Sequence, residues 1–186
     1  NSNNASPETV TIANKILDGI VLNANLSSAE AESLIRDTRR RQDLMSLKLL
    51  LNAYQIKNST YPVLAAGSYI PKFSTSKWPS WQATLGSDLA ATIPLDPVNT
   101  FRLACAAPYE ASTCWSEADK EFICPGSSAN PSNIYAYKWN AANNANLYAS
   151  MEFNRPPLAT FISPPPLGIC IAPSSCDCFN FTLPVP

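Results

Sequence analysis

The sequence predicts an α+β domain, and three observations carry that expectation. Between Ser28 and Asn58 the chain has neither proline nor glycine, and its leucines recur at helical intervals. The stretches IYAYKW (134–139) and LYASMEF (147–153) flank an Asn-rich turn, the pattern of a β-hairpin. Cysteines cluster between 105 and 124, and a proline-rich tail begins near Pro156, so the hairpin is framed by loops rather than by further helices.

Taken in order, residues 1–10 are polar and read as extended. From Thr11 a helical pattern runs on, interrupted near Gly19 and again near Asn23–Ser28. Ser27 or Ser28 suits an N-cap, and Glu30 and Glu32 place acids where the helix dipole favours them. Tyr61-Pro62 ends the helix, because the residue before a proline is pushed out of the α region. At about 100° per residue, Leu44, Leu47, Leu50, Leu51 and Tyr54 share one face. Met45, Leu49 and Ile56 form a second stripe, with Lys48, Asn52 and Gln55 in the gap between them. One stripe suffices for packing on a sheet, so two predict either a deeply buried helix or one that meets its own domain and also another molecule. A long loop follows, with a short helix near Ser80–Thr92 stopped by Pro94 and Pro97. Residues 101–133 form the cysteine loop, and prolines confine the tail to edge strands or extended coil.

Composition narrows function. The 186 residues carry a net charge of −1, so no global field draws the chain to nucleic acid. Seventeen prolines against five glycines suit a rigid surface protein. With no histidine, the usual general base and the commonest metal ligand are both missing. Neither G-x-S-x-G nor a glycine-rich phosphate loop occurs, so no active site, metal or cofactor is expected. Glu117, Asp119 and Glu121 read as a solvated acidic loop. Trp81 and Trp139 fit core positions, whereas Trp78 and Trp115, in loops, are the candidates for stacking on a sugar.

The six cysteines, Cys105, Cys114, Cys124, Cys170, Cys176 and Cys178, lack zinc-site spacing and are expected to form three disulfides. Some bonds are expected within the 105–124 loop and one to the tail, while fifteen pairings remain open. Asn4, Asn25, Asn58 and Asn180 head N-x-S/T sequons and are candidate glycosylation sites. Together these features predict an extracellular, cell-surface or periplasmic protein. The sequence has no run of about 20 apolar residues that would span a bilayer.

The order of motifs adds a resemblance. The basic helix RDTRRRQDLMSLKLLLNAYQIKNSTYP precedes Trp81, Leu85 and Leu89. IPLDPVN (93–99), YAYKW (135–139) and LYASMEF follow in turn. This order resembles that of the type IV pilin-like family, in particular the pseudopilins of type II secretion systems, over roughly residues 20–153. The resemblance implies one long N-terminal helix packed on a three- to four-stranded antiparallel sheet. A disulfide-rich loop and a Pro/Cys-rich C-terminal extension are added here. It divides the chain into an N-terminal segment (1–27), a pilin-like domain (28–153) and that extension (154–186). It further implies a structural subunit, not an enzyme, that assembles with identical subunits into a pilus- or pseudopilus-like filament. Minor pilins or an assembly machinery would be further partners.

On this reading Met45, Leu49 and Ile56 face neighbouring subunits, and Arg36 and Arg40, in the run Arg36, Arg39, Arg40 and Arg41, either pair with a neighbour's acids or belong to a solvated basic face. The family's apolar N-terminal half-helix is replaced by the polar NSNNASPETVTIANKILDG, so membrane contact is expected only through a missing helix. In that case TVTI could act as a strand donated to a neighbour. Asp96 and Asn99 stand where the family's calcium loop begins, but its further aspartates are missing, so calcium is not expected. The alternative reading is a monomeric secreted adhesin or glycan-binding module that uses the cysteine loop and exposed tryptophans.

Overall fold

A computed structural model of the chain describes residues 26–125, 132–153, 179 and 181–185. Helix α1 spans Ser28–Asn58. Ser27 caps it through a reciprocal box: its hydroxyl accepts from the Glu30 amide, while Glu30 accepts from the Ser27 amide. The helix ends at Ser59, whose left-handed backbone (φ 57°) returns its amide to the Gln55 carbonyl. Leu44, Leu47 and Leu51 are fully buried, with Leu50 and Tyr54 packed at the margin of the same core. Each buried leucine stabilises the fold by about 1.5–3 kcal/mol.

The leucine face lies on a four-stranded antiparallel sheet built from β1 (Phe73–Thr75), β4 (Ala136–Ala141), β5 (Asn144–Ala149) and β6 (Phe181–Val185), in that spatial order. Alternation along the central strands sorts side chains to two faces. Tyr135, Tyr137, Ala145, Leu147 and Ala149 point to α1, with Phe181 and Val185 completing that core. Ala136 and Tyr148 point the other way, into a second core with Phe73, Trp78, Trp115 and Phe122. The cysteine loop, with the short pair β2 (Trp115–Ser116) and β3 (Glu121–Phe122), closes this second core. The molecule thus has three layers: helix, sheet and cysteine loop.

Several elements differ from expectation. The short helix is one wide π-helical turn, Trp81–Gly86, within a helical stretch at 79–88. It stops before Thr92 because Ala90 takes a positive φ (50°) and the Gln82 side chain bonds both backbone groups of Ile93. The hairpin is tighter than the Asn-rich stretch suggested: a bulge between Trp139 and Ala141 carries β4 to a turn at 142–143. β5 ends at Ala149, not at Phe153, because the amides of Glu152 and Phe153 leave the ladder and donate to the Asp37 carboxylate on α1. β1 and the β2–β3 pair, too short to show periodicity, lie in stretches that read as loop.

The proposed boundary after Phe153 needs correction. β6 supplies the sheet edge, so the end of the C-terminal extension belongs to the same domain. Pro184 is tolerated there because only one side of an edge strand is paired, and its carbonyl accepts from Lys48 Nζ at 3.1 Å. The expectations for residues 1–25, for Cys170, Cys176 and Cys178, and for Asn4, Asn25 and Asn180 lie outside the described residues.

Candidate functional site

The two sides of α1 do different work. Toward the core, the arginine run builds an ion-pair cluster. Arg40 is fully buried; its Nε and Nη2 reach the Asp96 carboxylate at 2.7 and 3.1 Å, and Nη1 reaches Asp37 at 2.8 Å and Glu152 at 2.6 Å. Nη2 also donates to Asn133 at 3.3 Å. Arg36 forms a fork onto Glu152, at 2.9 Å from Nε and 2.6 Å from Nη2. One helical turn on, Asp43 accepts from Tyr135 Oη at 3.0 Å and from Arg39 at 3.1 Å. Asp96 owes its position to the loop between Pro94 and Pro97, where its carboxylate also accepts from the Val98 and Asn99 amides.

This corrects one expectation. Arg40 cannot pair with a neighbour's acids, because its guanidinium is enclosed and bonded within its own chain. Arg36, partly exposed, is also engaged internally with Glu152. Three carboxylates around two guanidiniums satisfy one another; burial lowers the Arg40 pKa, but Asp96, Asp37 and Glu152 outweigh it and hold the charge on. Burial likewise raises the Tyr135 pKa, reinforced by Asp43 and Asp96, so the phenol stays a donor. The cluster ties α1 to the 93–99 loop and to the end of the hairpin.

Glu152 gives this cluster an acid-sensitive member. Burial raises its pKa, but Arg36 and Arg40 more than offset that, so the folded value is lowered. A depressed carboxylate contributes stability that is present above the unfolded value, about 4.3, and is lost as pH falls through the folded one. Unfolding free energy is therefore expected to fall with pH below that point. Glu152→Gln should flatten that limb in denaturant titrations at several pH values; an unchanged slope would deny Glu152 a share in it.

Away from the core, α1 presents large apolar side chains that no other described residue covers. Ile35 (69% exposed), Met45 (51%), Leu49 (67%) and Ile56 (81%) stand on the outer side, and Ile35, Gln42, Leu49 and Ile56 repeat every seventh residue. From Ser33 onward the helix's only acids, Asp37 and Asp43, are buried, while Arg39 and Lys57 are exposed along one flank. Arg41 lies on the opposite flank, and its Nε is buried without a hydrogen-bond partner among the described residues. Beside the first turns, Leu34, Ile35, Thr38, Arg39, Gln42 and Pro97 line an open depression of about 580 Å³. An apolar face rimmed by one sign of charge is suited to association.

The cysteine loop is held by the Cys105–Cys114 disulfide (Cα–Cα 5.4 Å), and Cys124 is disulfide-bonded as well. Trp78 and Trp115 are buried there, which corrects their assignment as sugar-stacking residues. Trp78 Nε1 donates to the Thr113 carbonyl at 3.0 Å, and Tyr69 stacks on Trp115 at 5.3 Å. Trp81 is core as expected, and Trp139 is half-buried beneath Lys72. Asn58, the last residue of α1, is exposed, and its Nδ2 donates to the Tyr54 carbonyl at 2.8 Å. The Asp96 carboxylate serves Arg40 and two amides. Among the described residues no three His, Cys, Asp or Glu side chains group to hold a metal, and no helix is long and apolar enough to cross a membrane.

Sequence reasoning did not assign Asp37, Glu152, Asn133 and Tyr135 to this cluster. The local cues were the LDP turn around Asp96 and the i,i+3 spacing of Asp37 and Arg40; the remaining partners lie 56 and more residues apart, beyond any spacing rule. No protein-family model, curated protein or solved structure matches the chain.

Proposed function

We propose that this chain is a structural, non-catalytic subunit that assembles with identical copies into a pilin- or pseudopilin-like filament outside the cytoplasm. The observation that carries this reading is the outer face of α1. Four large apolar side chains line one side of a helix whose opposite side is already fully packed. Burying such a stripe against a second molecule stabilises the pair by roughly 25 cal/mol for each Å² removed from water, and nothing within the described domain covers it. The order of sequence motifs, with its likeness to pilin-like subunits, supports the same reading. The disulfide supports an oxidising compartment.

The test is Leu49→Glu and Met45→Glu, examined by sedimentation velocity over a range of concentrations. Both side chains are exposed, so melting temperature and circular dichroism are expected to match those of the parent chain. The parent is expected to associate with concentration, and the variants to remain monomeric. Association by both variants equal to the parent's would remove the stripe from the interface.

A further inference from the structure

We infer that the outer face of α1 receives the acidic turn of the cysteine loop from the next copy, so that subunits join head to tail. The inference rests on the assembly reading above and names the surface that meets the N-terminal end of the stripe, at Ile35. Between Glu110 and Phe122 the loop carries Glu110, Glu117, Asp119 and Glu121 against a single cation, Lys120, which pairs with Glu117 and leaves the other three acids in excess. Glu110, Glu117 and Asp119 are exposed. The turn joining β2 to β3 projects Ala118 between two of these acids, and Asp119 holds the turn's shape by accepting from Ser116 Oγ at 2.7 Å. On α1, the depression is lined by Leu34, Ile35 and Pro97 together with Arg36 and Arg39, the latter's side chain 67% exposed. A small apolar tip flanked by carboxylates matches that depression in both polarity and charge.

Placement gives the match its consequence. α1 covers one face of the sheet and the cysteine loop covers the other, as the alternation of Tyr135 and Tyr137 against Ala136 shows. A contact between opposite poles leaves each new copy with one unfilled socket and one unfilled turn, so growth is open-ended. A contact of this patch of α1 with the same patch of another copy would be self-complementary and would close as a two-fold dimer.

Two variants of the 186-residue chain test this. Ile35→Gln with Arg39→Gln breaks the socket, and Ala118→Lys places a cation at the tip of the turn; all three positions are exposed, and Asp119 and Glu117, which accepts from Trp115 Nε1, are kept. Sedimentation velocity is expected to show an open series of oligomers for the parent. Each variant alone should need a concentration about tenfold higher or more to associate. Their equimolar mixture should form a heterodimer and stop, since one intact turn then meets one intact socket. If the parent associates and the socket variant does not, but the turn variant associates like the parent, the acidic turn is not the occupant, and only this inference fails. A parent that stays monomeric throughout overturns the assembly reading and this inference together.

Discussion

Replacing Arg40 with alanine is expected to cost the fold about 3–5 kcal/mol, although the residue stands in what reads as a solvated basic run. The loss comes less from the missing bonds than from the groups left behind. Asp37 and Asp96 are both buried, and without the guanidinium they would face each other and Glu152 with only Arg36 to compensate. Arg40→Lys should recover only part of this, since an ammonium cannot serve Asp96 through a fork while also reaching Asp37. Equilibrium unfolding in urea measures the effect directly. Arg39→Ala is the control: its pairing with Asp43 is mostly exposed on the arginine side and should cost no more than about 1 kcal/mol. Equal losses for the two would show that the cluster is not the buried anchor its geometry describes.

Phe181→Ala is expected to destabilise the domain by about 3 kcal/mol, the lower end for a buried phenylalanine because an edge strand, paired on one side only, can partly collapse. Its ring belongs to the core shared by α1 and the sheet, while β6 pairs through five registered positions with β5. Thermal unfolding of the variant against the parent decides the matter. A loss under about 0.5 kcal/mol, the surface-substitution range, would mean that the tail adds little and that a boundary after Phe153 is a fair division of stability. A loss near the expected value makes the tail a required part of the fold.

How much of this was legible depends on the range of the interaction. The helix Ser28–Asn58, a cap at Ser27 or Ser28 and two stripes were readable because a helix is written in neighbours three and four residues apart. The hairpin was readable for the same reason at a period of two, although its strand ends were not. β5 stops where Asp37, more than a hundred residues earlier, takes the next amides. β1 has three residues and β2 and β3 two each, all shorter than any period that could reveal them. The candidate face divides in the same way. Met45, Leu49 and Ile56 could be placed on an outer stripe from spacing alone, whereas the fates of Arg40, Trp78 and Trp115 could not.

By itself, then, the sequence determined the long helix, which of its residues share a face, the β-hairpin, and a chemistry without histidine that turns attention from catalysis to surfaces. The tertiary structure alone decided which charges and rings are hidden. Arg40 and Arg39 are neighbours on the same charged run, but the rotation of about 100° between them sends one into a nest of carboxylates and leaves the other in water. A residue's type sets what burial would cost it, and only the packing of distant segments sets whether that cost is met.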